Sequence, residues 1–238
     1  MFSLFKKKYK HIFFDLDRTL WDFETNSHDT LVDMFFNFSL DKHFSNAENY
    51  VETFKKFNLL LWNEYLRGEI AKEMLRHQRF HRTLKSRGLD SHDLAEQLDN
   101  FYITECPKHT ALMPHAIETL GYLKEKDYGL HIITNGFNEI QLIKIKDSGL
   151  SGYFDSITTS EIACSMKPHA RIFEYAQYPL NTKKRKCLMV GDDWENDIVG
   201  AKKFGWDQVF YAPLKLNTGK SFRPTHEIFD LSELKEIL

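Results

Sequence analysis

The sequence predicts an α/β fold, a doubly wound parallel sheet whose first two strands are separated by a small all-helical domain. Short apolar runs alternate with helical stretches over much of the chain, a pattern typical of parallel strands joined by helices. The apolar runs show no strict alternation of polar residues, as expected when helices cover both faces of a sheet. The stretch 21–114 has helical patterns without a strand signal.

The sheet is predicted from short apolar runs that end near turn residues. Five strands are expected at Ile12–Asp15, Leu130–Thr134, Ser156–Thr159, Cys187–Gly191 and Asp207–Tyr211. Helices between the later strands are expected at Phe137–Ser148, His169–Tyr178 and Trp194–Phe204. A short closing helix is expected after Asp230. We therefore assign residues 1–20 and 115–238 to the sheet domain.

The stretch 21–114 is predicted to be a helical cap domain with its own core. Its helical patterns cover Asp29–Leu40, Ala47–Tyr65, Ile70–Arg87 and Ser91–Glu105. Gly68 and Gly88 provide stop signals between them. A stretch of this length is not expected to be a structureless loop inside a compact domain.

Composition excludes several classes of function. The 32 basic and 34 acidic residues give a net charge of -2, which argues against nucleic acid as the main partner. Cys106, Cys164 and Cys187 show no disulfide framework or metal spacing, which predicts a cytoplasmic protein. The run Lys6-Lys7-Lys8 precedes too short an apolar segment for a signal sequence or membrane span, so we interpret it as a solvated lead-in. The chain is expected to be a monomer or homodimer.

Short polar motifs lie where the predicted strands end. They are Asp15-Leu16-Asp17, Thr134-Asn135-Gly136, Lys167-Pro168 and Gly191-Asp192-Asp193 with Asp197. Carboxyl ends of parallel strands share one edge of a sheet, where ligands bind. Two carboxylates about 4 Å apart repel by roughly 1 kcal/mol in water and about 4 kcal/mol at an effective dielectric near 20. Singly, each motif also suits a turn or helix cap; together, in this order, they favour catalysis.

These residue types predict phosphoryl transfer through an aspartyl phosphate. Asp15 is the expected nucleophile, because a carboxylate can attack phosphorus and form a covalent intermediate. A Mg²⁺ ion is expected on Asp15 and Asp192, with the backbone carbonyl of Asp17 as a further ligand. This leaves the Asp17 carboxyl free to protonate the leaving alkoxide and then to deprotonate the attacking water.

Further polar residues are predicted to support this reaction. Thr134, Asn135 and Lys167 are expected to bind the substrate, with Thr134 donating to a phosphoryl oxygen and Lys167 stabilising the transition state. Asp193 and Asp197 are expected to orient metal-bound waters or Lys167.

Trp21 and Arg79, in the stretch 21–114, each have two possible roles. Trp21, just after the catalytic loop, either lines the substrate pocket or fills the core. Arg79, inside a helical pattern, either contacts the phosphate or sugar of a substrate or stabilises the helical domain.

The motifs, in this order, resemble those of the haloacid dehalogenase superfamily. The matching residues are Asp15, Asp17 and Thr19, then Thr134, Lys167, Asp192 and Asp197. The resemblance implies a Rossmann-like core with a small cap inserted after the first strand. The second acidic residue, Asp17, marks phosphatase members of the superfamily and argues against dehalogenation.

A narrower resemblance covers nearly the whole chain. Segments such as Ile132–Phe137, Leu61–Tyr65 and His77–Phe80 resemble pyrimidine 5′-nucleotidases. This implies a small-molecule phosphate ester as the substrate, specifically a nucleoside 5′-monophosphate. Arg18 and Asp193 depart from the usual pattern, which leaves the substrate open. The alternatives are a phosphatase for a sugar phosphate, phosphoglycolate or acylneuraminate phosphate, a phosphomutase, or a non-catalytic phospho-accepting signalling module.

Overall fold

The computed structural model describes residues 8–214 and 222–238, so Lys6 and Lys7 of the predicted lead-in lie outside the described part. The chain divides into two compact units, of which one is Glu24–His109 and the other is formed by the remainder. The predicted boundaries of the helical domain, 21–114, lie a few residues outside this unit.

The sheet consists, in the described residues, of six parallel strands in the order β3-β2-β1-β4-β5-β6. The strands are β1 (His11–Phe14), β2 (Gly129–Thr134), β3 (Ser156–Thr159), β4 (Cys187–Gly191), β5 (Asp207–Tyr211) and β6 (His226–Ile228). This arrangement, with its flanking helices, confirms the predicted doubly wound α/β fold.

Strand β1 lies at the centre of the sheet, where the strand order reverses. Phe13 in β1 is in register with His131 of β2 on one side and with Met189 of β4 on the other. The chain leaves β1 to form β2 and β3 on one side and returns to form β4 on the other. The carboxyl ends of β1 and β4 therefore frame the switch point at which open parallel sheets bind ligands.

The unit Glu24–His109 is helical. Its helices are α1 (Phe23–Asn37, whose first residue lies outside the unit), α2 (Ala47–Leu66), α3 (Lys72–Lys85) and α4 (His92–Glu105). The Asn46 and Ser91 side chains cap α2 and α4 by accepting from the backbone N–H three residues on, at 2.9 and 3.3 Å. No helix of the described chain is both long and apolar enough to cross a bilayer.

The remaining helices belong to the sheet unit. They are α5 (Ala116–Glu125), α6 (Asn138–Asp147), α7 (Ala170–Gln177), α8 (Gly200–Phe204) and α9 (Leu234–Ile237), with a π-helical turn, Trp194–Val199, leading into α8. The sequence patterns predicted neither α5 nor β6. Strand β6 has only three residues, His226–Ile228, too few to show a hydrophobic period.

One face of the sheet is packed against α7 and α8 by large aromatic side chains. Phe13 stacks on Trp206 with ring centroids 4.2 Å apart, and Phe173 meets Trp206 edge-on at 5.4 Å. Phe204 of α8 and Met189 of β4 complete this buried cluster. Because β1 is held by this core and by two neighbouring strands, the chain that follows it starts from a rigid position.

Buried His131 predicts a dependence of stability on pH. Its Nδ1 lies 2.8 Å from Ser156 Oγ and its Nε2 3.0 Å from His11 Nδ1. Burial, and then the proximity of His11, lowers the pKa of His131 from 6.5 to about 4. As pH falls, the unfolded chain therefore binds a proton at His131 before the folded chain does. The contribution of neutral His131 to the free energy of unfolding is complete above pH 6.5 and is lost as pH falls towards 4.

We expect the free energy of unfolding to fall across this window by up to about 3 kcal/mol because of His131. Urea titrations at several pH values would measure the fall, with His131→Gln as the comparison. An equally steep fall in His131→Gln would contradict this assignment.

Candidate active site

Asp15 is the first residue beyond β1, and Lys167 reaches it from the segment between β3 and α7. The Asp15 backbone N–H donates to the Val190 carbonyl at 3.0 Å, which fixes the start of the loop. Lys167 Nζ donates to Asp15 Oδ1 and to Asp197 Oδ1, at 2.6 Å in both cases. The predicted nucleophile and the predicted lysine therefore meet, and Asp197 bonds the same ammonium.

The charges in this cluster are poorly solvated. Burial raises the pKa of Asp15, which the Lys167 ammonium opposes, and burial raises the pKa of Asp197 well above its usual range. Burial by itself would lower the pKa of Lys167, but the two carboxylates outweigh it and the pKa is raised. Lys167 is thus a fixed positive charge beside Asp15.

Asp192, after β4, is tied to the loop that follows β1. Thr19 Oγ1 donates to Asp192 Oδ1 at 3.0 Å and accepts from the Asp192 backbone N–H at 3.1 Å. Burial, and then the charge of Asp15, raises the pKa of Asp192 to about 7. The threonine of the first motif, for which the sequence suggested no separate role, therefore sets the distance between the two acidic loops.

Asp15, Asp192 and Asp197 form a group that fits a hard divalent cation. Each offers a carboxylate oxygen within 4.8 Å of the others. Both oxygens of Asp197 are bonded, Oδ1 by Lys167 and Oδ2 by the Asp193 N–H at 3.1 Å. Asp15 and Asp192 are therefore the residues of this group whose carboxylates have an oxygen available to bind a cation. When all three carboxylates are ionised, they and the one ammonium leave two negative charges in excess, which a bound divalent cation would offset. Carboxylate oxygens are ligands that Mg²⁺ prefers.

A second group of potential metal donors lies in the helical unit. His81, Asp90 and His92 also have donor atoms within 4.8 Å of one another. His81 Nε2 lies 2.7 Å from Asp90 Oδ1, Lys85 Nζ donates to Asp90 Oδ2 at 2.8 Å, and His77 Nε2 lies 3.1 Å from His92 Nδ1. Contacts within the group and with the neighbouring Lys85 and His77 thus account for this cluster between α3 and α4.

Gly191 allows Asp197 to approach the strand end. A Cβ atom at this glycine would overlap the Asp197 side chain, including its carboxylate. A larger residue would push Asp197 away from Lys167.

Thr134 ends β2 with a hydroxyl that accepts two hydrogen bonds. The Gly136 backbone N–H donates to Thr134 Oγ1 at 3.1 Å, and Gln141 Nε2 donates to it at 2.9 Å. Because both bonds use the oxygen as acceptor, the hydroxyl hydrogen is the part that can be donated to a phosphoryl oxygen.

The Asn135 side chain, predicted to bind the substrate, bonds the backbone of Lys167. Asn135 Nδ2 donates to the Lys167 carbonyl at 2.9 Å, and the Lys167 N–H donates to Asn135 Oδ1 at 2.8 Å. Both ends of the carboxamide are therefore used by the backbone that carries Lys167. Asn135 therefore positions the lysine loop, and its role in substrate binding stays a prediction.

The Asp17 carboxyl, predicted to act as acid and base, accepts hydrogen bonds from two side chains. Lys144 Nζ donates to Asp17 Oδ1 at 2.5 Å, and Gln141 Nε2 donates to Asp17 Oδ2 at 2.8 Å. The sequence interpretation missed both donors. A usable signal was present, because Gln141 and Lys144 are three residues apart on α6, the helix that follows Thr134, and so share one face.

Asp193 and Asp197 were both predicted to orient Lys167 or metal-bound waters, and Asp197 is the one of the two that bonds Lys167. Asp193 Oδ1 accepts from the Asn196 backbone N–H and Asp193 Oδ2 from Asn196 Nδ2, both at 2.8 Å. Asp193 is therefore an exposed cap for the π-helical turn, whereas Asp197 orients Lys167.

Trp21 and Arg79, the predicted substrate contacts outside the motifs, both lie inside their own units. Trp21 is fully buried, and Lys144 Nζ lies 4.1 Å from the centre of its ring. Arg79 donates through Nε and Nη2 to Asp99 Oδ1, at 3.1 and 2.7 Å, and lies 4.7 Å from the Tyr102 ring. These contacts favour the alternative that each residue stabilises its unit, and the substrate roles stay predictions.

Comparison with known proteins defines the class of the chain. A family model for haloacid dehalogenase-like hydrolases matches residues 9–205. The pyrimidine 5′-nucleotidases PynA of Streptococcus pneumoniae and YjjG of Escherichia coli are each 30% identical to this chain, over 97% of it and over 95% and 98% of their own lengths. The crystal structure of Bacillus subtilis YfnB bound to magnesium has 27% identity and a TM-score of 0.86, covering 98% of this chain and 99% of YfnB.

The chain therefore belongs to the haloacid dehalogenase-like hydrolase family. Within that family it is a phosphoric monoester hydrolase, since its nucleotidase relatives match it over nearly its whole length.

Proposed function

We propose that this chain is a Mg²⁺-dependent 5′-nucleotidase that hydrolyses nucleoside 5′-monophosphates, with a preference for pyrimidine nucleotides, through an aspartyl phosphate, an acyl phosphate formed on Asp15. The observation that carries the chemistry is the contact of Lys167 with Asp15 and Asp197 beside Asp192 at the switch point. The similarity to PynA and YjjG extends through the helical unit as well as the sheet, and it supports the choice of substrate.

In the first half of the reaction, an Asp15 carboxylate oxygen attacks the phosphorus of the substrate. The bond between phosphorus and the nucleoside 5′-oxygen breaks, and Asp17 gives a proton to that oxygen. Lys167 and the Thr134 hydroxyl stabilise the negative charge on the transferring group. The nucleoside leaves, and the phosphoryl group remains on Asp15.

In the second half, a water molecule attacks the phosphorus on Asp15. Asp17 accepts a proton from that water as the new P–O bond forms and the bond to Asp15 breaks. Inorganic phosphate leaves, and Asp15 is regenerated as a carboxylate while Asp17 regains its proton. When bound by Asp15 and Asp192, Mg²⁺ supplies the positive charge that lets a phosphate dianion enter this acidic site.

We place the enzyme in the cytoplasm, with a nucleotide as its small-molecule partner. Support comes from its three cysteines, all free thiols, of which Cys106 and Cys187 are buried and Cys164 is exposed.

The test is phosphate release from a panel of esters, each assayed with Mg²⁺ and with excess chelator. The panel contains dUMP, dTMP, UMP, purine monophosphates and simple sugar phosphates. We expect the highest kcat/KM for the pyrimidine monophosphates, loss of turnover with chelator, and recovery when Mg²⁺ is restored. Faster turnover of the sugar phosphates than of all three pyrimidine nucleotides would overturn the substrate assignment, and full activity in chelator would overturn the metal assignment.

A further inference from the structure

Gln141 and Lys144 bond to the Asp17 carboxylate, one to each oxygen. Lys144 Nζ lies 2.5 Å from Oδ1, and Gln141 Nε2 lies 2.8 Å from Oδ2. Both donors come from the same face of α6 and are buried, since Lys144 is 4% exposed and Gln141 is 0% exposed. With a donor on each oxygen, the carboxylate has a fixed orientation.

Gln141 joins Asp17 to the predicted phosphate-binding hydroxyl. The same Nε2 group donates to Asp17 Oδ2 and, at 2.9 Å, to Thr134 Oγ1. Its other amide atom, Oε1, is buried and has no hydrogen-bond partner among the described residues. An unsatisfied buried acceptor costs about 1–3 kcal/mol, so stability alone would not select this side chain. While Asp17 is ionised, turning the amide over would place Oε1 against its carboxylate, which favours the orientation in which Nε2 donates.

Lys144 is similarly difficult to explain by stability. Its ammonium is buried against Asp17, 4.1 Å from the centre of the Trp21 ring and 5.6 Å from that of Phe23. Replacing a buried ion pair by well-packed apolar residues is often neutral or stabilising. A buried lysine at this position is therefore better explained by what it does to Asp17.

We propose that Gln141 and Lys144 are positioning residues that direct Asp17 as the acid and base of the proposed nucleotidase reaction. This inference rests on the proposed function. Gln141 sets the position of Asp17 relative to Thr134, so that the proton donor and the phosphate-binding hydroxyl keep a constant separation. Lys144 keeps the other carboxylate oxygen in place. Each carboxylate oxygen has a second lone pair, so Asp17 can carry there the proton that it gives to the leaving oxygen and later takes from water, without losing either hydrogen bond.

The inference predicts that the effect of Lys144 depends on the leaving group. Lys144→Met is expected to slow phosphorylation of the enzyme by a nucleoside monophosphate roughly 10²-fold, because general acid catalysis contributes at least this much. With p-nitrophenyl phosphate, whose leaving group needs little protonation, the burst of nitrophenolate should keep its wild-type rate while the following steady state slows. Rapid-quench and stopped-flow measurements on the full chain would give both rates.

The decisive control is an Asp17→Asn background, in which Lys144→Met should have no further effect on either rate. Lys146→Met, an exposed lysine on the same helix, should behave like the wild type, and Lys144→Arg should restore most of the rate. Thermal unfolding would confirm that each variant is folded. Gln141→Leu provides a second variant if Lys144→Met does not fold.

Two results would overturn the inference. One is an equal loss with both substrates in the phosphorylation step, which would mean that Lys144 supports phosphate binding and not Asp17. The other is an additive loss in the Asp17→Asn background. Neither result requires the proposed function to fail, since that depends separately on Asp15 and on the substrate panel.

Discussion

Asp15→Asn is expected to abolish turnover, lowering kcat by at least ~10⁴-fold for every substrate that the wild-type protein hydrolyses. The amide has the shape of the carboxylate but cannot act as the nucleophile, so no phosphoryl enzyme forms. Steady-state phosphate release measures the loss. Asp147→Asn, which changes an exposed carboxylate on the sheet unit, is the matched control and should keep wild-type activity.

The loss should occur without unfolding. Burial already raises the pKa of Asp15, which means that its charged form is costly in the folded protein. Removing that charge relieves its repulsion with Asp192, although it also weakens one of the two ion pairs of Lys167. The midpoint temperature of thermal unfolding of Asp15→Asn should therefore lie close to that of the wild type. Turnover at the wild-type rate in the folded variant would contradict the nucleophile assignment.

Lys167→Met is expected to have the second largest effect, lowering kcat/KM roughly 10³-fold. The ammonium is the positive charge nearest to the proposed nucleophile and would stabilise the transferring phosphoryl group. Its removal also leaves Asp15 and Asp197 buried without their cation. Breaking a buried ion pair by removing one partner costs about 3–5 kcal/mol, so the free energy of unfolding should fall as well.

The two effects of Lys167→Met can be measured separately. Urea unfolding gives the loss of stability, and kinetics at a temperature where the variant is fully folded gives the loss of activity. Lys183→Met, which removes an exposed lysine, should leave both unchanged. A folded Lys167→Met protein with wild-type kcat/KM would show that Lys167 has a purely structural role.

The sheet and its polar strand ends were predictable because they leave local signals. An apolar run such as Cys187–Gly191 followed by two acidic residues marks both the strand and the edge at which it ends. Asp15 and Asp192 could be brought together from strand order, since parallel strands end at one edge. Lys167 lies beyond the end of β3, just before α7, and its place in the site was predicted from the order of the motifs. Strand β6 left no comparable signal because it is short and lies at the edge of the sheet.

The roles of individual polar side chains were less predictable. Asn135 sits in a motif that suggests substrate binding, yet its carboxamide bonds the backbone of Lys167, thirty-two residues along the chain. The partners of Asp17 lie still further away in sequence, on α6. Such contacts depend on how a helix is rotated against the sheet, which hydrophobic periodicity determines only approximately. Residue type and position therefore indicated that Asp17 lies in the site but not that its carboxylate is already bonded.

The most direct test of the account is identification of the residue that carries the phosphoryl group. The wild-type protein would be mixed with its best substrate and Mg²⁺, quenched in acid within one turnover, and digested for peptide mass spectrometry. The account predicts one added phosphoryl group on Asp15, present at short times and absent after the substrate is consumed. Full turnover with the phosphoryl group on another residue, or with none on Asp15 at any time, would contradict it.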